Sequence, residues 1–208
     1  KGEGVAEWLR GTIAGALPKV GRMNLAYFPD SRGRILTEMS LIRHEEDAFT
    51  LITAAPAQWH DFEVLRDRMP ENHNFVLKDH TDDFSTFIVT GPKSRELLQG
   101  ISEDVNFDLD WLTHQIGTVA DHRVMLARVS FAGELGWEIH GANADMPKIY
   151  GALLAEGATP FGMYALNSLR LEKGYRAWKG DLSTDYTLLE GGMERFIKFD
   201  KPQNFPGK

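Results

Sequence analysis

Arg22–Arg43 reads RMNLAYFPDSRGRILTEMSLIR: two apolar runs on either side of the polar PDSRG at Pro29–Gly33. Turn-forming residues between two such runs predict a β-hairpin, with strands over 22–28 and 35–43. Along the second strand Ile35, Thr37, Met39 and Leu41 share one face, and Leu36, Glu38, Ser40 and Ile42 share the other. Glu38 therefore sits among apolar neighbours on its own face. A carboxylate flanked in this way lies either at a rim or in a pocket. If partly buried it holds its proton more tightly, and it can act as a base or as the partner of a developing cation.

Outward from the hairpin, Val5, Trp8, Leu9, Ile13 and Leu17 recur at helical spacing, and Pro18 ends the run. Phe49–Thr53 reads as a third strand. Pro56 opens a helix to about Arg68, since proline suits a first helical position. Strands are expected over 75–77 and 85–90, and a short helix from Pro92 to Leu98. Two further strands, 115–120 and 123–131, flank a tight turn at Asp121-His122. Another strand covers 135–140, and helices cover 147–154 and 162–173. In the last, Met163, Leu166, Leu169 and Leu171 are expected to form an apolar face. Hairpins interspersed with helices point to an α+β fold with mixed sheets rather than a doubly wound parallel one. Strand-then-helix units recur in both halves, which suggests two related lobes.

Composition narrows the function. With 42% hydrophobic residues in 208, the chain can bury a real core. A net charge of −7 argues against a nucleic-acid surface, which is usually basic. The absence of cysteine excludes disulfides, thiolate metal sites and a cysteine nucleophile, and fits a reducing compartment. No apolar run approaches the roughly 18 residues of a membrane helix, and no signal peptide is visible. Neither GxGxxG nor GxxxxGK[ST] spacing is present, so no motif offers a dinucleotide or nucleoside triphosphate cradle. The seven histidines are scattered, and His44-Glu45-Glu46 reads as a solvated loop rather than a metal site. The chain opens at Lys1 without Met and closes on KPQNFPGK, ends that read as those of a fragment.

Two further segments carry chemistry. In RVSFAGELGWEIH (Arg128–His140) a strand ends, Ala132-Gly133 turns, and Glu134 stands before the next strand. A carboxylate fixed there can accept two parallel N–H bonds from an amidine-like edge, or it can be an exposed turn acid. Gly136 beside Trp137 suggests backbone held close to a neighbour, and Glu138 is expected to face solvent. In FGMYALNSLRLEKGYRAW (Phe161–Trp178) Arg170 can pair structurally or can take a ligand carboxylate in a two-pronged contact.

The hairpin, the TGP at Thr90–Pro92, FAGELGWEIH at Phe131–His140 and the long run Gly162–Lys201 together resemble the aminomethyltransferase (glycine cleavage T-protein) superfamily. The resemblance is closest to the tetrahydrofolate-binding C-terminal domain of dimethylglycine and sarcosine dehydrogenases, and it runs over nearly the whole chain. It implies one folate-binding domain over residues 1–208, part of a longer protein, with a C-terminal barrel lying outside this chain. Glu134 matches the glutamate that binds the pterin edge. Arg170 matches the arginine facing the folate's glutamyl end. Glu38 matches the acidic residue, often Asp, beside the reactive nitrogens of tetrahydrofolate. Trp178 falls where the family carries an aromatic near the ligand. Leu25 and Phe131 stand where T-proteins tend to have tyrosines, which removes two hydroxyls near the folate and agrees with the dehydrogenase branch.

The implied activity is capture of an iminium- or formaldehyde-level unit from an N-methyl amine, forming 5,10-methylenetetrahydrofolate. The implied partners are folate, a methylated amine and a flavin dehydrogenase domain in the same polypeptide or complex. FAD belongs only to that dehydrogenase half. Neither nucleic acid nor a membrane is implied, and the setting is the cytoplasm, or the mitochondrial matrix in a eukaryote. A freestanding aminomethyltransferase or folate-dependent demethylase would use the same residues. A folate-binding iron–sulfur assembly protein shares the fold but carries a K-G-C-Y-x-G-Q-E signature. The nearest stretch here, Lys173-Gly174-Tyr175-Arg176, lacks the thiolate.

Overall fold

The computed structural model describes residues 1–208. They divide into two units, Lys1–Asp79 with Arg176–Lys208, and His80–Tyr175.

In the first unit, β1 (Gly2–Glu3) leads into α1 (Val5–Thr12), whose Val5, Trp8 and Leu9 are buried. The helix is shorter than the 5–17 span its periodicity suggests. At Ile13 the backbone turns extended (φ −93°, ψ 151°), and Ala14 N–H donates to Tyr27 O at 2.9 Å. Gly15 then passes so near the backbone that a Cβ there would lie 2.8 Å from Phe196 O. Helical continuation is given up for these contacts. The hairpin forms as read, from β2 (Met23–Pro29) and β3 (Ile35–Glu45), with β4 (Ala48–Ile52) on its far side in the order β2-β3-β4. Asp30 Oδ1 closes the turn by accepting from the N–H groups of Arg32 and Arg34 at 2.8 and 2.9 Å, and Gly33 supplies the left-handed residue (φ 77°). A 3-10 turn at Ala55–Ala57 carries Pro56, so α2 proper is Gln58–Arg66; β5 (Asn74–Phe75) pairs with β1.

The two faces of the hairpin pack against different partners, as strand alternation requires. Ala26, Phe28, Met39 and Leu41 join Val5, Trp8, Leu9 and Ile13 in one core. Tyr27 joins Leu182, Leu188, Met193 and Phe205 in another, with Leu25, Trp178 and Phe196 against it. Ile35, expected on the face of Met39, joins this second core instead, beyond the register shift between Phe28 and Pro29. The Arg176–Lys208 segment thus covers the face of the hairpin that bears Glu38.

The second unit is built on a five-stranded antiparallel sheet of order β6-β10-β9-β8-β7. Its members are β6 (Phe84–Thr90), β7 (Ser102–Glu103), β8 (His114–Val119), β9 (His122–Ala127) and β10 (Gly136–Ala142). Helices α3 (Ser94–Gln99), α4 (Met146–Ala155) and α5 (Met163–Glu172) accompany it, and Trp137, Leu126, Ile139 and Ile149 are fully buried in its core. All ladders between strands in both units are antiparallel, which places the fold in the α+β class, and no barrel closes.

Three further expectations shift. The β8–β9 turn is Ala120-Asp121, both left-handed (φ 49° and 63°), and His122 already pairs with Val119. A two-residue hairpin loop of type I′ takes two positive φ angles, and the closing pair lies just outside them. Strand β9 stops at Ala127 instead of Phe131, which frees residues 128–135 to form a loop. On α5, Leu166 and Arg170 are buried while Met163 and Leu171 are 74% and 53% exposed. One turn apart, Leu166 and Arg170 define the inward side, so the expected apolar stripe is only partly the buried one. No helix is long and apolar enough to cross a membrane.

Candidate functional site

In the first unit, Tyr27 and Glu38 are direct cross-strand partners, so their side chains rise side by side from one face. Tyr27 is 1% exposed, and its hydroxyl donates to Met193 Sδ at 3.0 Å. Burial pushes the Glu38 carboxyl above the usual carboxylate range, against the opposing pull of the Tyr27 hydroxyl and the Trp178 backbone N–H. Glu38 Oε2 is buried with no hydrogen-bond partner, and so is the indole nitrogen of Trp178. Burial also pushes the Tyr27 phenol up, reinforced by the Glu38 charge and opposed by Arg195 and Arg176. Leu25 lies two residues before Tyr27 and shares its face. Leu25 and Trp178 pack against the core that holds Tyr27, beside the half-buried Glu38.

A carboxyl held above its unfolded value costs stability as pH rises. The folded protein binds the proton more tightly than the unfolded chain, so this contribution is complete below the ordinary glutamate value of 4.5 and is lost as pH climbs through the raised folded value. Glu38→Gln removes that loss. The variant is expected to melt higher than the parent at neutral pH, by roughly a few degrees, and no higher near pH 4. Thermal unfolding at the two pH values checks this.

In the second unit the freed loop after β9 carries the other candidate group. Gly133 is left-handed (φ 81°), and a Cβ there would meet Lys173 Cγ at 2.6 Å, so glycine lets the lysine stem pass. Gly136 is tight in the manner read from sequence: a Cβ would sit 2.7 Å from Ser130 Cβ and 3.1 Å from Thr90 Oγ1. Between these glycines stands Glu134, exposed and in no hydrogen bond or ion pair within the chain. It borders a cavity of about 380 Å³ whose walls include Trp111, Arg128, Ser130, Lys173 and Tyr175. Phe131 stacks on Tyr175 (6.2 Å, 15° between planes) and stiffens that wall from behind. Sequence reasoning missed Lys173 and Tyr175 as wall residues, and Tyr27 and Met193 as neighbours of Glu38. The only available signal was the alternation that puts Tyr27 on the face of Leu25.

Arg170 is placed differently from the expectation. It is 5% exposed; Nε and Nη2 donate to Asn167 Oδ1 at 2.8 and 2.5 Å, and Nη1 donates to Tyr175 O at 2.9 Å. The Nε–Nη2 edge of the guanidinium is closed on Asn167 and the residue is enclosed, so that edge is not open to a ligand carboxylate. The geometry is that of a clamp tying the end of α5 to Tyr175. Arg170→Lys keeps the charge but loses the planar fork, and it is expected to cost about 1–3 kcal/mol of stability by leaving Asn167 and Tyr175 O short of donors. Denaturant unfolding checks this; an unchanged midpoint would leave the ligand-facing role as the better account. Glu138 also departs from its solvent-facing expectation: its side chain is 17% exposed, and one carboxylate oxygen lies 3.2 Å from His140 Nε2. His44 Nε2 lies 2.8 Å from Thr50 Oγ1, and no cluster of three potential metal ligands forms.

The second unit presents an unpaired carboxylate on a loop with a left-handed glycine, and the first bears a half-buried acid on its hairpin. Residues 1–201 match the GCVT N-terminal domain, and the chain belongs to that family. It is 34% identical over 215 residues to mitochondrial dimethylglycine dehydrogenase of Mus musculus, covering 100% of this chain and 25% of that protein. It is 30% identical over 219 residues to an aminomethyltransferase of Streptomyces avermitilis, covering 100% of this chain and 57% of that protein. Among solved structures, the glycine cleavage system aminomethyltransferase T from Bartonella henselae superposes with a TM-score of 0.87 at 22% identity, over 100% of this chain and 57% of that one; this likeness is one of fold. The chain thus spans a quarter of the length of the first of these relatives and little more than half of the other two.

Proposed function

We propose that the full-length protein carrying this chain transfers a one-carbon unit at the oxidation level of formaldehyde from an N-methyl amine of the dimethylglycine or sarcosine type to tetrahydrofolate, giving 5,10-methylenetetrahydrofolate. The observation that carries this reading is Glu134: a carboxylate with no partner in the chain, at the mouth of a cavity of about 380 Å³. That volume is in the range of small-molecule sites. The two carboxylate oxygens suit the paired N–H groups of a 2-amino-pyrimidinone edge. Tetrahydrofolate, when bound, supplies the two amine nitrogens that take up the carbon.

The chain's own groups do the rest. Glu134 orients the pterin edge, and Tyr175, backed by Phe131, forms an aromatic wall. Lys173 brings a cation to the same cavity, where it suits an acceptor on the ligand. Arg170 acts as a positioning residue through Tyr175. Glu38 holds or releases a proton at its bare oxygen Oε2, and its carboxylate form stabilises a cationic carbon unit. Leu25 and Trp178 line the Glu38 side without adding a hydroxyl. Oxidation of the amine belongs to a flavin dehydrogenase part outside these residues, in keeping with the relative named a dehydrogenase. The family match and the aminomethyltransferase relative support folate as the acceptor. A freestanding aminomethyltransferase would use the same residues; the higher identity to the dehydrogenase favours the first reading. The test is titration of the full-length protein with tetrahydrofolate in a calorimeter: saturable one-to-one binding is expected, and no heat of binding at millimolar ligand would end the reading.

A further inference from the structure

One polar group beside Glu38 has more than one use for its proton. Tyr27 is fully enclosed, so its hydroxyl has no water to turn to. It donates to Met193 Sδ at 3.0 Å, and the Glu38 carboxyl rises next to it as its direct cross-strand partner. A thioether sulfur is a weak acceptor and an ionised carboxylate a strong one. Glu38 keeps Oε2 buried and bare, so ionising it calls for whatever donor is near. The donors that reach it are the Tyr27 hydroxyl and the Trp178 backbone N–H; the cations felt at Tyr27 are Arg195 and Arg176.

Resting on the reading of Glu38 given above, we propose that Tyr27 is its positioning residue. The hydroxyl donates to Met193 Sδ while Glu38 holds a proton, and rotates to Glu38 when that proton leaves. The phenol keeps its own proton throughout; only its C–O bond turns. The carboxyl can then gain and lose a proton with a donor from the chain itself turning to meet the charge at the buried oxygen. Met193 is 3% exposed and 166 residues away in sequence, so its sulfur is a built resting place rather than a neighbour by chance of chain proximity.

The experiment follows the carboxylic acid C=O stretch of Glu38 by infrared spectroscopy across pH, in the full-length protein, using the difference against Glu38→Gln to assign the band. Tyr27→Phe keeps the ring that packs at 5.3 Å against Phe196, and its melting temperature confirms the fold. Removing the donor should move the Glu38 titration midpoint up by about one pH unit, the scale of one hydrogen bond to a charged group. Met193→Leu removes the resting place, disfavours the protonated state, and should move the midpoint down by a smaller amount. An unmoved or lowered midpoint in Tyr27→Phe, or a raised one in Met193→Leu, overturns the proposal. The titration is read without folate or amine, so it fails or stands independently of the one-carbon reading.

Discussion

Replacing Glu38 with Gln should uncouple amine oxidation from folate-dependent transfer. The amide keeps the shape and packing of the side chain on its hairpin face but removes the charge and the exchangeable proton. Tetrahydrofolate affinity should change little. Formation of 5,10-methylenetetrahydrofolate should fall by a factor on the order of 10² or more, as for other positioned acid–base groups. Flavin reduction by the amine should continue at the parental rate, and free formaldehyde should accumulate instead. The three quantities are read together in one turnover assay of the full-length protein. Normal methylenetetrahydrofolate from Glu38→Gln would reduce Glu38 to a buried acid without a chemical task. The same variant is expected to be more stable than the parent at neutral pH, so lost transfer cannot be ascribed to unfolding. Gained stability with lost activity is the usual mark of a group kept for function.

Glu134→Ala should act on binding instead. The carboxylate has no partner inside the chain, so its removal leaves no orphaned donor and the fold should melt as before. What is lost is a pair of charge-assisted hydrogen bonds to the ligand, each worth roughly 1.5–3 kcal/mol at most, so tetrahydrofolate affinity should drop about tenfold or more. Calorimetry on parent and variant decides the matter. Equal affinities would return Glu134 to an exposed turn acid, the bland reading open to it from sequence.

Local patterns carried much of this structure. The Arg22–Arg43 hairpin was legible because alternation and a turn-forming PDSRG agree, and the crowding at Gly136 was legible from its place beside Trp137. The turn at Ala120-Asp121 was missed by one residue, since Ala at a positive φ is uncommon and only the Val119–His122 pairing reveals it. Helix α5 misled for a different reason. Its composition suggested an apolar face of Met163, Leu166, Leu169 and Leu171, whereas packing kept Leu166, left Met163 and Leu171 exposed and brought in Arg170. An arginine on the inner face is tolerated there because Asn167 and Tyr175 O meet its fork. Periodicity cannot express that kind of satisfaction. The neighbourhood of Glu38 was least legible: Tyr27 reaches it through strand register, and Met193 comes from the far end of the chain.

On the function proposed for it, the carbon removed from the amine passes to tetrahydrofolate within this protein. The most direct test is to supply an N-methyl amine labelled with ¹³C in the methyl group to the full-length protein with tetrahydrofolate, and to follow the label by NMR. The label is expected in the bridging methylene of 5,10-methylenetetrahydrofolate with the parent protein, and largely in formaldehyde hydrate with Glu38→Gln. Label found only as formaldehyde hydrate with the parent, tetrahydrofolate being present and intact, would contradict it.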